Sequence, residues 1–189
     1  MWRIEFHASL AINVVFLGFL GLIPFGSSLL HRERPRELGF RLDNFARSAR
    51  DTAIVTAAGA VIIVAIGLAA GRRPDLGPNA AIAVLSYLLW GLLQQYALQA
   101  FVYRRLGEGL RRSRTAAAVT AVLFGALHLP NPVLAPATVV VGYLWCRLYS
   151  RTPNLLTLAV SHAVLAALIM ASLPPEWIHR LKVGPGYWS

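Results

Sequence analysis

Five long stretches of this 189-residue chain, 8–30, 52–71, 76–103, 115–146 and 152–175, contain no Asp, Glu, Lys or Arg. A soluble domain does not tolerate so many uninterrupted runs, because charged residues make up about a quarter of an ordinary globular sequence. Here they make up 14%, against 57% hydrophobic residues. A hydrocarbon core about 30 Å thick takes about 20 apolar residues per crossing helix. Four of the stretches suit one crossing each, and the 32 residues of 115–146 suit a pair of shorter helices. The chain therefore reads as all-α, a single integral membrane domain over 1–189 built as a polytopic bundle of about six transmembrane helices.

The expected helices are 8–30, 52–70, 79–103, 115–129, 133–149 and 155–173, and each break carries its own stop signal. Arg32, Arg34, Pro35 and Arg36 follow the first; Gly71, Arg72, Arg73 and Pro74 the second; Pro130 and Pro132 divide the fourth from the fifth; Pro174 and Pro175 close the sixth. The first stretch is longer than a signal-peptide core and lacks a convincing small-residue cleavage site, so it reads as a retained span. Cys146 is the only cysteine, cannot form an internal disulfide, and reads as a small packing residue.

Net charge is +10, from 17 arginines and one lysine against eight acids. In a soluble chain that balance suggests nucleic acid; between apolar spans it points to anionic lipid, so the bilayer is the expected partner and nucleic acid is not. Thirteen of the 18 basic residues fall in the loops after helices one, three and five. The positive-inside rule puts those loops in the cytoplasm and both termini outside. The preference for arginine over lysine suggests a GC-rich bacterial genome, and hence a multi-pass protein of the bacterial inner (plasma) membrane. Between Arg32 and Arg50, acids alternate with arginines, which fits either a short helix in the headgroup layer or a solvated linker.

Helix four spans only about 22 Å at 1.5 Å per residue, so the HLPNP turn after it is expected at membrane depth. Irregular backbone survives there only when buried in protein or lining a wet cavity, which would lie near His128.

Polar side chains in the spans concentrate in three places: Gln94, Gln95 and Gln99 on helix three, His128 at the end of helix four, and His162 on helix six. No carboxylate lies in any span. Gln95 and Gln99 share a helix face, and Phe124 and His128 repeat the four-residue spacing. Glutamines alone could be interhelical hydrogen-bond glue and a lone histidine a packing residue. Two histidines and an amide cluster on separate helices point to one shared polar site. Ser161 beside His162 does not make a nucleophile and base, because adjacent helical residues point about 100° apart. Tyr87, Tyr96 and Tyr103, with Trp2, Trp177 and Trp188, read as interface or packing residues.

The segments QQYALQAFVYRRL (94–106), FGALH (124–128) and the run from His128 to His162 resemble successive motifs of the CPBP family, the CAAX-processing and bacteriocin-processing (Abi) intramembrane proteases. LGFRLDNF (38–45) is similar to a segment that follows the family's first helix, and the resemblance covers about 35–173. The family pattern is a Glu-Glu pair with an arginine four residues beyond the second Glu, a Phe four residues before a His, and a second His followed four residues later by Asn. Phe124, His128 and His162 match. Gln94 and Gln95 replace the glutamates, Gln99 the arginine and Ala166 the asparagine.

The resemblance implies a catalytic set of Gln94, Gln95, Gln99, His128 and His162, with His128 and His162 as ligands for a divalent metal such as zinc. It implies a hydrophobic or lipidated (CAAX-like or leader) peptide as substrate or partner. Glutamine, however, neither accepts a proton at neutral pH nor supplies the anionic oxygen of a hard metal ligand. Two imidazoles alone fall short of the three protein ligands of catalytic zinc. Removing two buried negative charges together with one positive charge leaves a neutral, hydrogen-bonded cluster. The expected function is thus an endopeptidase-like membrane protein that acts on or binds such a peptide, with catalysis left to the histidines; the alternatives are a non-catalytic binding or scaffold protein on the same fold, or a small transporter. The last is weakened by the lack of an internal repeat.

Overall fold

The computed structural model describes residues 10–78, 80–184 and 187; the expected start of helix one at Ala8, Asn79, Trp2 and Trp188 lie outside them. Among the described residues every regular element is helical. The helices are α1 (Leu10–Leu30), α2 (Phe45–Ala69), α3 (Ala80–Gln95), a π-helical segment (Tyr96–Tyr103), α4 (Arg104–Leu110), α5 (Ser113–Ala126), α6 (Leu134–Arg151), α7 (Leu155–Ser172) and a one-turn α8 (Pro175–Ile178) with a 3₁₀ turn after it. Residues Gln95 and Arg104 at the joins keep right-handed helical angles, so α3, the π segment and α4 form one unbroken rod.

Two boundaries correct the sequence reading. Helix two begins at Phe45 instead of residue 52, and the third rod runs to Leu110 instead of 103. Arg47, Arg50 and Asp51 sit in the first turns of α2, and Arg104 and Arg105 open α4. A charge-free stretch marks the apolar part of a helix, not its ends.

The Arg32–Arg50 region is neither a separate headgroup helix nor a free linker. Residues 31–44 form turns and the rest joins α2. Glu37 accepts the Arg34 backbone N–H at 2.9 Å, Gly39 turns the chain with φ +98°, and Asn44 donates to the Pro153 carbonyl. Such local side-chain bonds compete with a helix ladder. Gly39 is needed here, because a Cβ would lie 3.0 Å from the Tyr149 ring as well as adopting an unfavourable φ. Asp43 binds both Arg41 (2.6 Å) and Arg36 (2.9 Å); the Arg41 guanidinium first, and Arg36 with it, hold the Asp43 carboxyl well below the usual carboxylate range.

Asn154 ties this loop to α7. Its Oδ1 accepts the Leu156 and Thr157 N–H groups, capping the helix, while its Nδ2 donates to the Arg41 carbonyl (2.7 Å) and to Asn44 Oδ1 (2.8 Å). Tyr149 donates to the Leu38 carbonyl and Arg104 to that of Glu37. The loops after α1, α4 and α6 therefore meet at one end of the bundle, the arginine-rich end.

α7 is the central helix, packed against α2 and α3, while α5 and α6 form a tight pair. The pairing depends on small residues: a Cβ on Gly125 would collide with Val139 and the Ala135 carbonyl, and Gly142 faces Phe124 and Ala121. Close approach through Gly and Ala suits helices whose outer faces lie in lipid, where apolar burial alone drives little association. Ile54, Val61, Ile62 and Leu68 on α2, Ile82, Leu85 and Leu89 on α3, and Val122 on α5 are all exposed. α2 has a mean hydropathy of 2.4 over its most apolar window with only 11% of it buried, whereas α7, at 2.1, is 61% buried. An apolar helix left that uncovered needs lipid around it.

The HLPNP turn is met by protein. Asn131 is fully buried; its Oδ1 accepts the Val133 and Leu134 N–H groups at the start of α6, and its Nδ2 donates to the Ile178 and Lys182 carbonyls. The Gly184 N–H donates to the Leu129 carbonyl at 2.7 Å. The segment after α7 thus folds back as a hook over the turn, which satisfies its polar groups as burial at depth requires.

Candidate functional site

Gln95, Gln99 and Thr120 are completely buried in the middle of the bundle. Gln95 lies nine residues before Arg104, Thr120 seven after Ser113, and His162 seven after Leu155. At about 1.5 Å per residue all three sit roughly 10–14 Å from the arginine-rich end, a common depth reached from three rods.

Phe124 organises the centre. Its ring stands edge-on to His128 (centroids 4.7 Å) and to His162 (6.2 Å), and Trp145 lies 6.3 Å away while stacking on His162 at 5.2 Å. The two imidazoles are therefore no farther apart than the sum of their distances to Phe124. His128 Nδ1 is 2.7 Å from the Phe124 carbonyl. A carbonyl can only accept, so Nδ1 carries the proton and the Nε2 of the neutral ring is left as an acceptor.

α3 reaches the histidines through Gly91. A Cβ there would lie 3.3 Å from Cβ and Cγ of His162 and 3.3 Å from the Ala159 carbonyl, so a side chain at this position would push the rods slightly apart. Gln94 and Gln95 follow one turn later. The π segment starts immediately after Gln95 and contains Gln99, whose Nε2 donates to Gln95 Oε1 at 3.3 Å. Single π turns in an α-helix occur often at functional sites.

Most of the centre's remaining polar capacity is unspent. Gln94 Oε1, Gln95 Nε2, Gln99 Oε1, Thr120 Oγ1 and His162 Nδ1 are buried without a hydrogen-bond partner among the described residues. Polar atoms buried in protein are nearly always hydrogen-bonded, and leaving one unbonded costs about 1–3 kcal/mol. Five on three rods give the interior a concentrated capacity to hydrogen-bond a ligand or water. Whichever way each amide is turned, carboxamides supply both donors and acceptors there.

Ser161 is engaged elsewhere: its Oγ accepts from Trp145 Nε1 (3.0 Å) and from Thr56 Oγ1 (2.7 Å), so it forms no nucleophile and base pair with His162. Cys146 is buried, as a packing residue should be. Tyr103 is core, while Tyr87 and Tyr96 are partly buried and donate to Met170 Sδ and Ser28 Oγ. As for a metal, no three His, Cys, Asp or Glu side chains come together among the described residues. His128 and His162 supply two imidazoles, and their neighbours are neutral amides, a hydroxyl and aromatic rings. That donor set does not fit a resident catalytic zinc, which takes three protein ligands.

Sequence reasoning missed Thr120, Trp145 and Gly91. Thr120 was legible: it lies four residues before Phe124 and eight before His128, on the same helix face. Gly91 precedes Gln95 by four residues in the same way. Trp145 gave no signal beyond its aromaticity.

An independent comparison covers the same part of the chain. A family model described as Type II CAAX prenyl endopeptidase Rce1-like matches residues 76–168, from the approach to α3 through most of α7 and across all five glutamine and histidine positions. This match supports assignment of the chain to the CAAX prenyl endopeptidase family, within the CPBP proteases, and with the apolar helices it supports a membrane protein. Comparison with curated proteins and with solved structures gives no match.

Proposed function

We propose that this chain binds a hydrophobic or lipidated peptide in the glutamine-histidine centre and does not hydrolyse it. The observation that carries this reading is the set of neutral, unpartnered polar atoms at Gln94, Gln95, Gln99, Thr120 and His162. An extended peptide offers an N–H and a C=O at every residue and cannot leave them unbonded in a low-dielectric interior. Carboxamides answer both groups. They do not take a proton from water, which is the step peptide hydrolysis requires. Membership in a peptide-processing family supports the choice of ligand. The reading needs no metal. It places a multi-pass chain of about six crossings in a bacterial plasma membrane, with the loops after α1, α4 and α6 in the cytoplasm and both termini outside, on the strength of the arginine distribution.

A second reading, residual proteolysis, rests on His128: its Nδ1 bond to Phe124 leaves Nε2 free to act as a base. Binding of a fluorescent prenylated peptide to nanodisc-reconstituted protein tests the first reading. Saturable binding should weaken roughly tenfold in Thr120→Val, which removes one buried hydroxyl at nearly constant volume. Binding that is absent in the natural protein, or unchanged in both Thr120→Val and Gln95→Leu, overturns it.

A further inference from the structure

A second polar site lies at the arginine-rich end, away from the glutamines and histidines. A cavity of about 460 Å³ opens where α4, α5, α6 and the loop after α1 meet; Arg104, Arg147, Ser113, Tyr103 and Glu37 are among the residues lining it. That volume lies within the range of sites that take small ligands.

Its charges do not balance. Two guanidiniums face one carboxylate, and Glu37 Oε2 is already engaged by the Arg34 N–H at 2.9 Å. Arg104 is partly committed, with Nη2 3.2 Å from Glu33 and Nη1 donating to the Glu37 carbonyl at 3.3 Å. Arg147 has no carboxylate partner among the described residues; its Nη1 donates to Ser113 Oγ at 3.2 Å. A guanidinium stays protonated at any physiological pH and presents five donors, so Arg147 retains a full charge and most of its hydrogen-bonding capacity.

The hydroxyls separate into spent and free. Tyr149 donates to the Leu38 carbonyl and Ser150 to that of Arg147. Ser113 accepts from Arg147, which leaves its own proton to give, and the Tyr103 hydroxyl donates to no described residue. Ser113 is also the first residue of α5, where Arg112 provides no side-chain cap. Free donors therefore converge from the π segment, α5 and α6, around a surplus positive charge, and acceptors are few.

We infer that this cavity binds a phosphate group, with Arg147 as its main cationic contact and Arg104, Ser113 and Tyr103 completing the donor set. A carboxylate offers two oxygens; a phosphate ester offers more acceptor oxygens at tetrahedral angles, which suits donors arriving from three elements. The group belongs either to an anionic lipid headgroup, attracted by the 13 of 18 basic residues carried by the loops and helix ends on this side, or to a free phosphate. None of these residues is part of the glutamine-histidine centre, so this site stands or falls independently of the proposed peptide binding.

The test measures thermal unfolding of the full chain in two arms: inorganic phosphate titrated into detergent-solubilised protein against chloride at equal ionic strength, and nanodiscs containing phosphatidylglycerol against nanodiscs in which an uncharged, phosphate-free glycolipid replaces it. Stabilisation in the first arm identifies free phosphate as a ligand and in the second a lipid headgroup. In either arm Arg147→Gln should weaken the effect about tenfold or more, while Arg73→Gln, an exposed arginine remote from the cavity, leaves it intact. Tyr103→Phe, which keeps the buried ring and removes only the hydroxyl, should weaken it about threefold and stays decisive where Arg147→Gln does not fold. No stabilisation in either arm, or equal stabilisation in Arg147→Gln and the natural protein, overturns the inference.

Discussion

The interior of this bundle and its arginine-rich end handle polarity in opposite ways. At the end, charge is abundant and its carboxylates are largely paired, though arginines outnumber them: Glu33 Oε1 lies 3.2 Å from Arg104 and 3.0 Å from Arg105, Arg105 also binds Glu108, Asp43 takes Arg36 and Arg41, and Asp51 takes Arg50. In the interior, formal charge is replaced by amide, hydroxyl and imidazole groups, several of them without partners. Near water an imperfectly matched ion pair costs almost nothing, and an exposed pair adds at most about 1 kcal/mol. At depth a single unmatched charge is expensive, whereas an unmatched amide is tolerable. Where its family resemblance implies two glutamates and an arginine, this chain has three glutamines. That exchange keeps a polar centre while removing its carboxylates.

The contrast can be broken most forcefully at Phe124, where the two histidines, Trp145 and Gly142 meet. Phe124→Ala should cost about 3–5 kcal/mol in chemical unfolding from micelles, as other buried Phe truncations do. A loss below about 1 kcal/mol would show that the centre is not organised by this ring. Next comes Glu33→Gln. The Glu33 side chain is only 7% exposed and holds two arginines, so its neutralisation should lower stability by about 2 kcal/mol, less than a fully buried pair because Arg104 and Arg105 remain 25% and 23% exposed.

Gln95→Leu sharpens the same comparison from the other side. It removes a buried amide whose nitrogen has no partner and whose oxygen accepts one 3.3 Å bond, so stability should stay within about 0.5 kcal/mol or rise, even as peptide binding falls. A large destabilisation would instead make the glutamines structural glue. The smallest effect belongs to Asp43. Its carboxyl is held below the usual range by Arg41 and Arg36, so its contribution is present above the ordinary carboxylate pKa near 4 and fades as pH falls towards the depressed folded value. Melting temperatures of the natural protein and Asp43→Asn should differ at pH 7 and draw together progressively as pH falls below about 4; a constant difference would mean that the pair is not what Asp43 contributes.

The apolar cores of the main helices were legible because charge cannot enter lipid cheaply, and the i, i+4 spacing of Phe124 and His128 was legible for the same geometric reason. Helix ends were not: Arg47, Arg50, Arg104 and Arg105 continue their helices beyond the apolar part, where water removes the penalty that made the pattern readable. The hook after α7 escaped notice because its anchor, Asn131, binds carbonyls 47 and 51 residues away, and no local spacing encodes such a partner. The π segment escaped notice as well, since an inserted residue in a helix leaves no mark in a run of apolar side chains. Within the centre, Gln94, Gln95, Gln99 and the two histidines stood out as polar residues in apolar helices. Gly91 acts through the side chain it lacks, and so was invisible to a search for chemistry.

The central claim is that a neutral centre holds a peptide without cutting it, and the most direct measurement is product analysis by mass spectrometry. Nanodisc-reconstituted protein is incubated with a prenylated peptide that it demonstrably binds, beside His128→Ala. The account predicts intact peptide in both samples after many hours. Cleavage products from the natural protein that vanish in His128→Ala would contradict it.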